Sequence, residues 1–445
     1  MPLSITFCAY DGRDYFGGPL EWYKRVAPAL RGIGVEARFL FITDHKPELC
    51  GTYMSLKEAG FESHALRRQS LTQMRDNTEA RVRWILKHLR EAPPDLFVPN
   101  LSIPGCFAAR WAQEAGIPSV PVIHSDDDFY RGMTEEFFVR PGPFQLKAVV
   151  CVSEMLAESV RSKCRTAELL PVEFAVQRSP PTFVERIPCG TPVPKAQTSW
   201  PGDGPLRIAY VGRLVEAAKR IGLLTETFCR VVQEVPSIEA LIIGDGPERA
   251  AVERIVVDSG CGDRVTLTGR IDSSAVQERL LDCHAIVLLS DFEGLPIALV
   301  EGMACGLVPV CLDIRSGIPE LVEHGKTGLL VQDRGDGFVR AIGQLRDNPD
   351  LWQRLSHAAR AKVGRGYSMA SVAGQWKQLV ERLQQEAGEK HRVQVPGRVD
   401  LPPVHPGLAG DDRRWPKWRG YARLQLRRIA RHCGLRLRKP TNDTR

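Results

Sequence analysis

Apolar runs of strand length, separated by segments of helix length, recur along most of the chain and constrain its fold more than any other feature. The first half contains LSITFCAY, VEARFLFIT, PDLFVPN, PSVPVIH and KAVVCVS, and the second contains RIAYVG, ALIIGDG, RVTLTGR, AIVLLS, LVPVCLD and GLLVQ. Strands that are apolar throughout are buried on both faces, and the intervening helices supply the cover. The pattern predicts an α/β fold of two Rossmann-like, doubly wound parallel-sheet domains, in which ligands bind at the carboxyl ends of the strands.

A change of composition separates the two sets of strands. Residues 191–205 hold four prolines and two glycines, which is typical of a linker. We therefore predict an N-terminal domain at 1–190 and a second domain at 206–366. Residues 367–386 are expected to form a terminal helix that packs back on the N-terminal domain. A further linker and a basic tail are expected at 387–445.

The positive charge of the chain is concentrated in this tail. The whole chain carries a formal charge of +7, whereas the last 35 residues alone carry +9, so the rest is nearly neutral. Arginines interleaved with Trp, Tyr and Leu over 415–439 indicate a basic amphipathic helix, which is typical of binding to an anionic membrane surface. Nucleic-acid binding, which the near-neutral body does not favour, partner docking and a disordered charged end are the alternatives.

The N-terminus and the cysteines bear on the compartment. The N-terminus lacks a basic segment and reaches Asp11 after a short apolar run, so it reads as a first strand and not as a signal peptide. The twelve cysteines show no CxxC or Cys/His cluster, which favours reduced core thiols over disulfides or zinc ligands. A cytoplasmic protein is expected, with a peripheral position on the inner face of the membrane as a further option.

The stretch FEGLPIALVEGMACGLVPV, residues 292–310, has the hydropathy of a membrane span. However, Gly306 and Pro309 would interrupt one continuous helix, and the segment fits a turn, a helix and a strand better. The helix is predicted to begin with Pro296 at its first position. It is apolar on nearly every face, which predicts a buried helix.

Glu301 is the single charged residue of this helix, and a buried carboxylate needs a partner. One interpretation is a salt bridge to a nearby Arg or Lys. The other is a ribose, whose two hydroxyls suit the two carboxylate oxygens. The helix N-terminus at 294–297 would bind a phosphate, and Glu301 lies about 8 Å further along the axis. Glu293 would then point from the loop towards the group on the other phosphate.

Several motifs together resemble those of a known family. Glu293 and Glu301, with seven residues between them, are similar to the signature of retaining glycosyltransferases of the GT-B fold, in the large family called glycosyl transferases group one. The family's other landmarks are resembled in order by DYFGGPLEWYKRVAPALRGIGVEA, PPDLFVPN, VVCVSEML, YVGRLVEAAKR, IIGDGPER, VTLTGR and SGIPELVEHGKTGLLV. The resemblance covers about residues 3–385.

The resemblance implies that the two domains face a cleft, with the N-terminal domain on the acceptor side and the second domain binding the nucleotide sugar. It also implies a metal-independent reaction. A sugar would pass, with retention, from a nucleotide-diphosphate sugar to a glycan or lipid-linked acceptor, as in the synthesis of a surface polysaccharide or glycoconjugate. The nucleotide sugar is a co-substrate, and no cofactor is expected. A sugar-nucleotide epimerase of the same architecture and a glycan- or nucleotide-binding protein without turnover remain the alternatives.

The resemblance also assigns roles to residues. Catalysis is expected from Glu293, His124, Arg213 and Lys219, with His124 and Glu293 at the sugar and the two cations at the diphosphate. Donor binding is expected from Gly17, Gly18, Arg213, Lys219, Arg270, Ile271, Gly294, Leu295, Pro296, Ile297 and Glu301. A covalent intermediate through Glu293 stays open.

Taken as residues alone, several of these candidates have plainer interpretations. Arg213 and Lys219 would equally fit a solvated surface, and the GRI turn at 269–271 an ordinary turn. A lone histidine such as His124 is more often structural. Asp126, Asp127 and Asp128 invite a metal, but the resemblance is to metal-independent enzymes, so we expect a solvated or acceptor-facing loop.

Overall fold

The computed structural model of the chain describes residues 2–13, 18–67, 78–168, 183–402, 405 and 408. Gly17 and the basic segment 415–439, which carry two of the predictions above, lie outside the described residues. Within them, the chain forms two α/β domains with parallel sheets joined by a linker, so the predicted fold class is confirmed.

The N-terminal domain is built on parallel strands in the orders β3-β2-β1-β4 and β5-β6-β7, joined by a bridge between Phe97 and Ser119. The strands are β1 (Leu3–Tyr10), β2 (Val35–Thr43), β3 (Ser63–Arg67), β4 (Leu96–Pro99), β5 (Val122–Ile123), β6 (Ala148–Cys151) and β7 (Phe183–Arg186). The helices are α1 (Gly18–Gly32), α2 (Gly51–Glu58), α3 (Thr78–Glu91), α4 (Ile103–Glu114), α5 (Asp128–Thr134) and α6 (Glu154–Glu168). A 3-10 turn at Pro47–Leu49 and a π-helix at Glu135–Val139 complete the domain.

The second domain has one parallel sheet in the order β10-β9-β8-β11-β12-β13. Its strands are β8 (Leu206–Val211), β9 (Ile238–Ile243), β10 (Val265–Gly269), β11 (Ala285–Leu288), β12 (Val308–Leu312) and β13 (Leu329–Val331). Its helices are α7 (Ile221–Glu234), α8 (Arg249–Asp258), α9 (Ser273–Leu280), α10 (Ile297–Cys305), α11 (Ile318–Leu321), α12 (Asp336–Asp347) and α13 (Pro349–Gly366). The strand order reverses between β8 and β11, and ligands of doubly wound sheets bind at this switch point.

The strand predictions differ from the structure in three places. The run at 118–124 is shortened to β5, because Pro118 and Pro121 have no N–H to donate to the ladder. Strands β3 and β7 were not predicted. Both lie at sheet edges and are largely half-buried, so polar residues take the place of the apolar run that marks a central strand.

The stretch at 292–310 folds as a turn, a buried helix and a strand. Helix α10 starts at Ile297 and not at Pro296, so the predicted first position was wrong by one residue. Pro296 has ψ 105°, outside the helical range, and its carbonyl accepts hydrogen bonds from Leu299 and Val300 as the residue before the helix. Gly306 ends the helix with φ 92°, a left-handed conformation that glycine adopts without strain.

The terminal helix α14 (Met369–Glu386) lies against α1 of the N-terminal domain. The Trp376 ring is fully buried there, with its centroid 5.7 Å from that of Trp22. Beyond α14, Lys390 Nζ lies 2.5 Å from Asp95 Oδ1, and the His391 N–H donates to the Ala115 carbonyl at 2.9 Å. The segment after α14 is therefore held on the N-terminal domain.

None of the helices in the described part of the chain is long and apolar enough to cross a membrane.

Candidate active site

Two loops meet at the switch point of the second domain, one after β8 and one after β11. Lys219 is on the first loop and Glu293 on the second, and Lys219 Nζ donates to Glu293 Oε1 at 2.5 Å. The Glu293 side chain is 9% exposed and that of Lys219 21%. A charge at this depth is costly to leave unpaired, and the ion pair gives each of the two residues a partner. Both predicted residues therefore lie at one site.

Arg213 follows β8 on the same loop, and its side chain is exposed. Its carbonyl accepts a hydrogen bond from the Tyr210 hydroxyl at 3.1 Å, which fixes the turn at Gly212. Among the described residues, no carboxylate pairs with the Arg213 guanidinium. The exposed guanidinium of Arg213 and the ammonium of Lys219 thus belong to the same loop. Two cationic groups on one loop can bind an anion together.

The turn from Gly294 to Ile297, which leads into α10, lies between the domains. A Cβ atom built on Gly18, the first residue of α1, would lie 2.8 Å from Ile297 Cδ1. One built on Gly294 would lie 2.1 Å from the His124 carbonyl oxygen. Leu295 and Pro296 are buried. The N-termini of α1 and α10, each with free N–H groups, therefore face one another across a closed cleft.

Glu301, on the second turn of α10, pairs with Arg25 of α1 through Oε1 and Nη2. The two side chains are 6% and 14% exposed. Burial raises the pKa of Glu301, and the Arg25 guanidinium opposes that rise. The structure thus shows the salt bridge that one of the two interpretations of Glu301 predicted. Sequence reasoning did not identify Arg25, although it lies seven residues after Gly18 and so on the same face of α1.

His124 lies at the end of β5 with its ring directed into the N-terminal domain. Its Nε2 lies 3.0 Å from Asn100 Oδ1, and its Nδ1 lies 3.8 Å from the Cys189 sulfur. Because the amide oxygen can accept but not donate, Nε2 carries the proton. Burial lowers the pKa of His124 to about 3, so the ring is neutral at physiological pH. Such a ring positions groups through hydrogen bonds and does not serve as a cationic acid.

Two of the three aspartates that follow His124, Asp126 and Asp128, pair with the same arginine, Arg131. Asp126 pairs with Arg131 at 3.1 Å, and Asp127 accepts a hydrogen bond from the Tyr130 N–H at the start of α5. The Asp128 side chain is 95% exposed. No group of three or more His, Cys, Asp or Glu residues in the described part of the chain could hold a metal ion.

Arg270 and Ile271 follow β10, at the edge of the sheet two strands away from β8. The spacing of strands places them about 10 Å from the Lys219 loop. Gly269 has φ 71°, and a Cβ atom there would lie 2.6 Å from Arg249 Nη1. The structure therefore sets these two residues at the rim of the same sheet edge, apart from the Lys219–Glu293 pair.

The lowered pKa values of two histidines, His124 and His284, predict that the protein loses stability in acid. Burial lowers the pKa of His284 to about 4, and its Nδ1 accepts a hydrogen bond from the Arg207 N–H at 2.8 Å. The unfolded chain binds protons on His124 and His284 from about pH 6.5 downwards, whereas the folded chain does not. The free energy of unfolding should therefore fall by about 1.4 kcal/mol per pH unit per histidine between pH 6 and 4.5.

Urea unfolding of wild type and His284→Asn over this range measures the effect. Asparagine supplies an acceptor to the Arg207 N–H without a titrating ring, so the pH dependence should be shallower in the variant. The exposed His357 is the matched control, and His357→Asn should keep the wild-type slope. Equal slopes for wild type and His284→Asn would contradict the assignment.

Comparisons with known proteins relate the chain to a family of glycosyltransferases. Residues 195–362 match the family described as glycosyl transferases group 1. The amylovoran biosynthesis glycosyltransferase AmsK of Erwinia amylovora is 35% identical over 189 residues, 40% of this chain and 45% of AmsK. The N-acetyl-alpha-D-glucosaminyl L-malate synthase of Bacillus anthracis is 34% identical over 164 residues, 36% of this chain and 42% of that enzyme. The chain thus matches less than half the length of these relatives.

The fold extends the similarity over both domains. The structure of Anabaena HepE in complex with UDP and glucose has a TM-score of 0.64 and 16% identity, and covers 85% of this chain and all of HepE. The pneumococcal O-GlcNAc transferase GtfA, in complex with UDP and GlcNAc, has a TM-score of 0.64 and 13% identity over 86% of this chain and 99% of GtfA. The two facing domains thus have the GT-B fold, and the second of them, with the linker before it, matches the glycosyl transferases group 1 family over residues 195–362.

Proposed function

We propose that this chain is a retaining, metal-independent glycosyltransferase that uses a nucleotide-diphosphate sugar. The observation that carries the proposal is the Lys219–Glu293 ion pair at the switch point, beside the N-terminus of α10. A diphosphate leaving group needs fixed positive charge as the anomeric bond breaks. Arg213, Lys219 and the free N–H groups of α10 supply that charge without a metal ion.

The other residues then take positions along the donor. Glu301 lies about one turn into α10, where a ribose would replace Arg25 as its partner. Glu293 faces the transferred sugar, and His124 adds hydrogen bonding from the opposite domain. Gly18 brings the backbone of the N-terminal domain close to the diphosphate. Arg270 and Ile271 line the place of the base.

The proposed chemistry transfers one group without external reagents. The acceptor hydroxyl forms a bond to the anomeric carbon on the face from which the diphosphate departs, and its proton passes to the departing diphosphate oxygen. The configuration at the anomeric carbon is retained. The acceptor class is a glycan or lipid-linked glycan, since relatives of the chain are named for amylovoran biosynthesis and for lipopolysaccharide core biosynthesis.

A donor screen tests the proposal. Thermal shift and saturation-transfer NMR with UDP-, GDP- and ADP-sugars should single out one nucleotide, with UDP tried first because HepE and GtfA were solved with it. The selected nucleotide sugar should be consumed in the presence of a glycan acceptor. Absence of binding by every nucleotide sugar and diphosphate would refute the function.

We further propose that residues 415–439 bind an anionic membrane at the cytoplasmic face. The chain before the tail is held on the N-terminal domain, where Leu401 and Leu408 are buried and His405 Nε2 lies 2.6 Å from Glu135 Oε2. The last described residues before the basic tail therefore lie on the N-terminal domain, which the resemblance places on the acceptor side, where a lipid-linked substrate would be presented.

Vesicle flotation tests the membrane binding proposed for the tail. Binding to phosphatidylglycerol vesicles should be at least about tenfold stronger than to phosphatidylcholine vesicles and should weaken with salt, since each basic residue near the surface contributes about 1 kcal/mol. A chain that ends at residue 408 should lose this binding and keep its nucleotide affinity. Equal flotation of the shortened chain would disprove the role.

A further inference from the structure

Asp291 lies two residues before Glu293 and connects three loops at the carboxyl edge of the second sheet. Its carboxylate accepts hydrogen bonds from Arg220 Nε, on the loop after β8, and from Arg334 Nη2, on the loop after β13. Its backbone N–H donates to the Ala218 carbonyl at 2.9 Å. The loops that carry Lys219 and Glu293 are therefore tied together at a second point beside the Lys219–Glu293 pair.

Hydrogen bonds hold both the side chain and the backbone of Arg334 in place. Its Nε donates to the Leu289 carbonyl at 2.9 Å, and its own carbonyl accepts a hydrogen bond from Thr227 Oγ1 of α7 at 3.0 Å. Its side chain is 24% exposed, against 37% for Asp291. Two guanidinium groups thus flank one carboxylate, and one of them is anchored to the loop after β11 and to α7.

The backbone at Arg220 adds a separate observation. Arg220 precedes α7 with φ 48° and ψ 48°, in the left-handed region that glycine adopts without strain and other residues adopt at a cost. An arginine here is unfavourable for the backbone, and its side-chain contact with Asp291 offsets that cost. Since Arg220 directly follows Lys219, the turn that aims Arg220 at Asp291 also sets the direction of Lys219.

We propose that Arg220, Asp291 and Arg334 form a positioning network for the donor site. An isolated exposed ion pair contributes little, but a carboxylate shared by two guanidiniums and supported by backbone hydrogen bonds restricts both loops together. The network holds the Lys219 ammonium and the Glu293 carboxylate in reach of each other, and so presents Lys219 to the diphosphate. This inference rests on the proposed function, because it concerns the same donor site.

Substitutions at Arg220 separate the side chain from the backbone. Arg220→Gly removes the guanidinium and also the backbone strain, since glycine adopts the left-handed conformation without cost. Arg220→Ala removes the guanidinium and keeps the strain. We expect the glycine variant to melt at or above the temperature of the alanine variant. Both should bind UDP about five- to tenfold more weakly than wild type in isothermal titration calorimetry. Arg220→Lys should recover part of the affinity. Wild-type affinity in Arg220→Gly would overturn the network.

Double substitution and a matched control complete the test. Arg220→Gly combined with Asp291→Asn should bind UDP no more weakly than Asp291→Asn alone, since the loss of the Asp291 charge already removes the contact with Arg220. Additive losses would overturn the proposal. The control is Asp336→Asn. Asp336 is exposed and pairs with Arg230, which lies near the end of α7 that is farther from Arg220. This variant should keep the wild-type affinity and the wild-type ratio of kcat to KM.

A measurement without nucleotide distinguishes failure of the network from failure of the function. If wild type binds no nucleoside diphosphate, the proposed function falls. Urea unfolding of Asp291→Asn, Glu293→Gln and the double variant still tests the network in the ligand-free chain. Non-additive losses of unfolding free energy would support the coupling of the two pairs, and additive losses would refute it.

Discussion

Replacement of Glu293 by glutamine should lower kcat on the order of 10²–10³-fold, the usual effect of removing a group that stabilises developing charge. Its carboxylate is buried beside the position proposed for the reacting carbon and is held by Lys219. Glutamine has nearly the same size but no charge. The Kd of the nucleoside diphosphate should change by less than about threefold, because loss of Glu293 releases Lys219 to bind phosphate.

Glu301 provides the matched comparison, since it is a second buried glutamate at the same site. Glu301→Ala should raise the Kd of the nucleoside diphosphate about tenfold or more, as expected for the loss of a charge-assisted hydrogen bond. Its kcat at saturating donor should fall less than that of Glu293→Gln. Calorimetric titration and initial-rate kinetics on both variants give these values, and the opposite pattern would mean that the two roles are exchanged.

Stability must be measured alongside binding for Glu301→Ala. The substitution leaves Arg25 buried without its carboxylate, and a buried charge that loses its partner costs about 3 kcal/mol or more. Arg25→Leu is the informative counterpart, because it breaks the same pair and keeps Glu301 for the ribose. A loss of nucleotide affinity in Glu301→Ala alone would assign the effect to the carboxylate and not to the domain contact.

The central features of this fold could be predicted from the sequence because they depend on local pattern. A strand such as Ala285–Leu288 is buried on both faces, so every residue in it is apolar, and this composition is visible without a structure. The position of the switch point could not be predicted in the same way, since the sequence does not show which strands are neighbours. Lys219 and Glu293 could be assigned to one site through the resemblance to the family.

The contacts that were missed are those made across long sequence distances. Arg25 meets Glu301 from the other domain, and no local period links two residues that lie 276 positions apart. Arg220 looks like a surface arginine until its left-handed backbone and its contact with Asp291 are seen. In both cases the sequence shows the charge, whereas its role depends on the tertiary partner.

Alanine at Gly294 should reduce kcat/KM on the order of 10²-fold, because displacement of about 1 Å at a reacting site has an effect of that size. The added Cβ would lie 2.1 Å from the His124 carbonyl oxygen of the opposite domain. The loop cannot retreat easily, since Gly317 packs behind it at a distance that leaves no room for a Cβ of its own. The two domains must therefore separate at this point.

Affinity and a control glycine distinguish this effect from a general loss of stability. The cations that we propose to bind phosphate, Arg213 and Lys219, belong to the second domain, so the Kd of UDP should change much less than kcat/KM. Gly374→Ala is the matched substitution, because its Cβ meets no atom within 4 Å on helix α14. It should stabilise the chain by about 0.5–1 kcal/mol without affecting catalysis. If Gly294→Ala kept full activity, the contact between His124 and Gly294 would not belong to the conformation that reacts, and His124 would lose its proposed place beside the donor sugar.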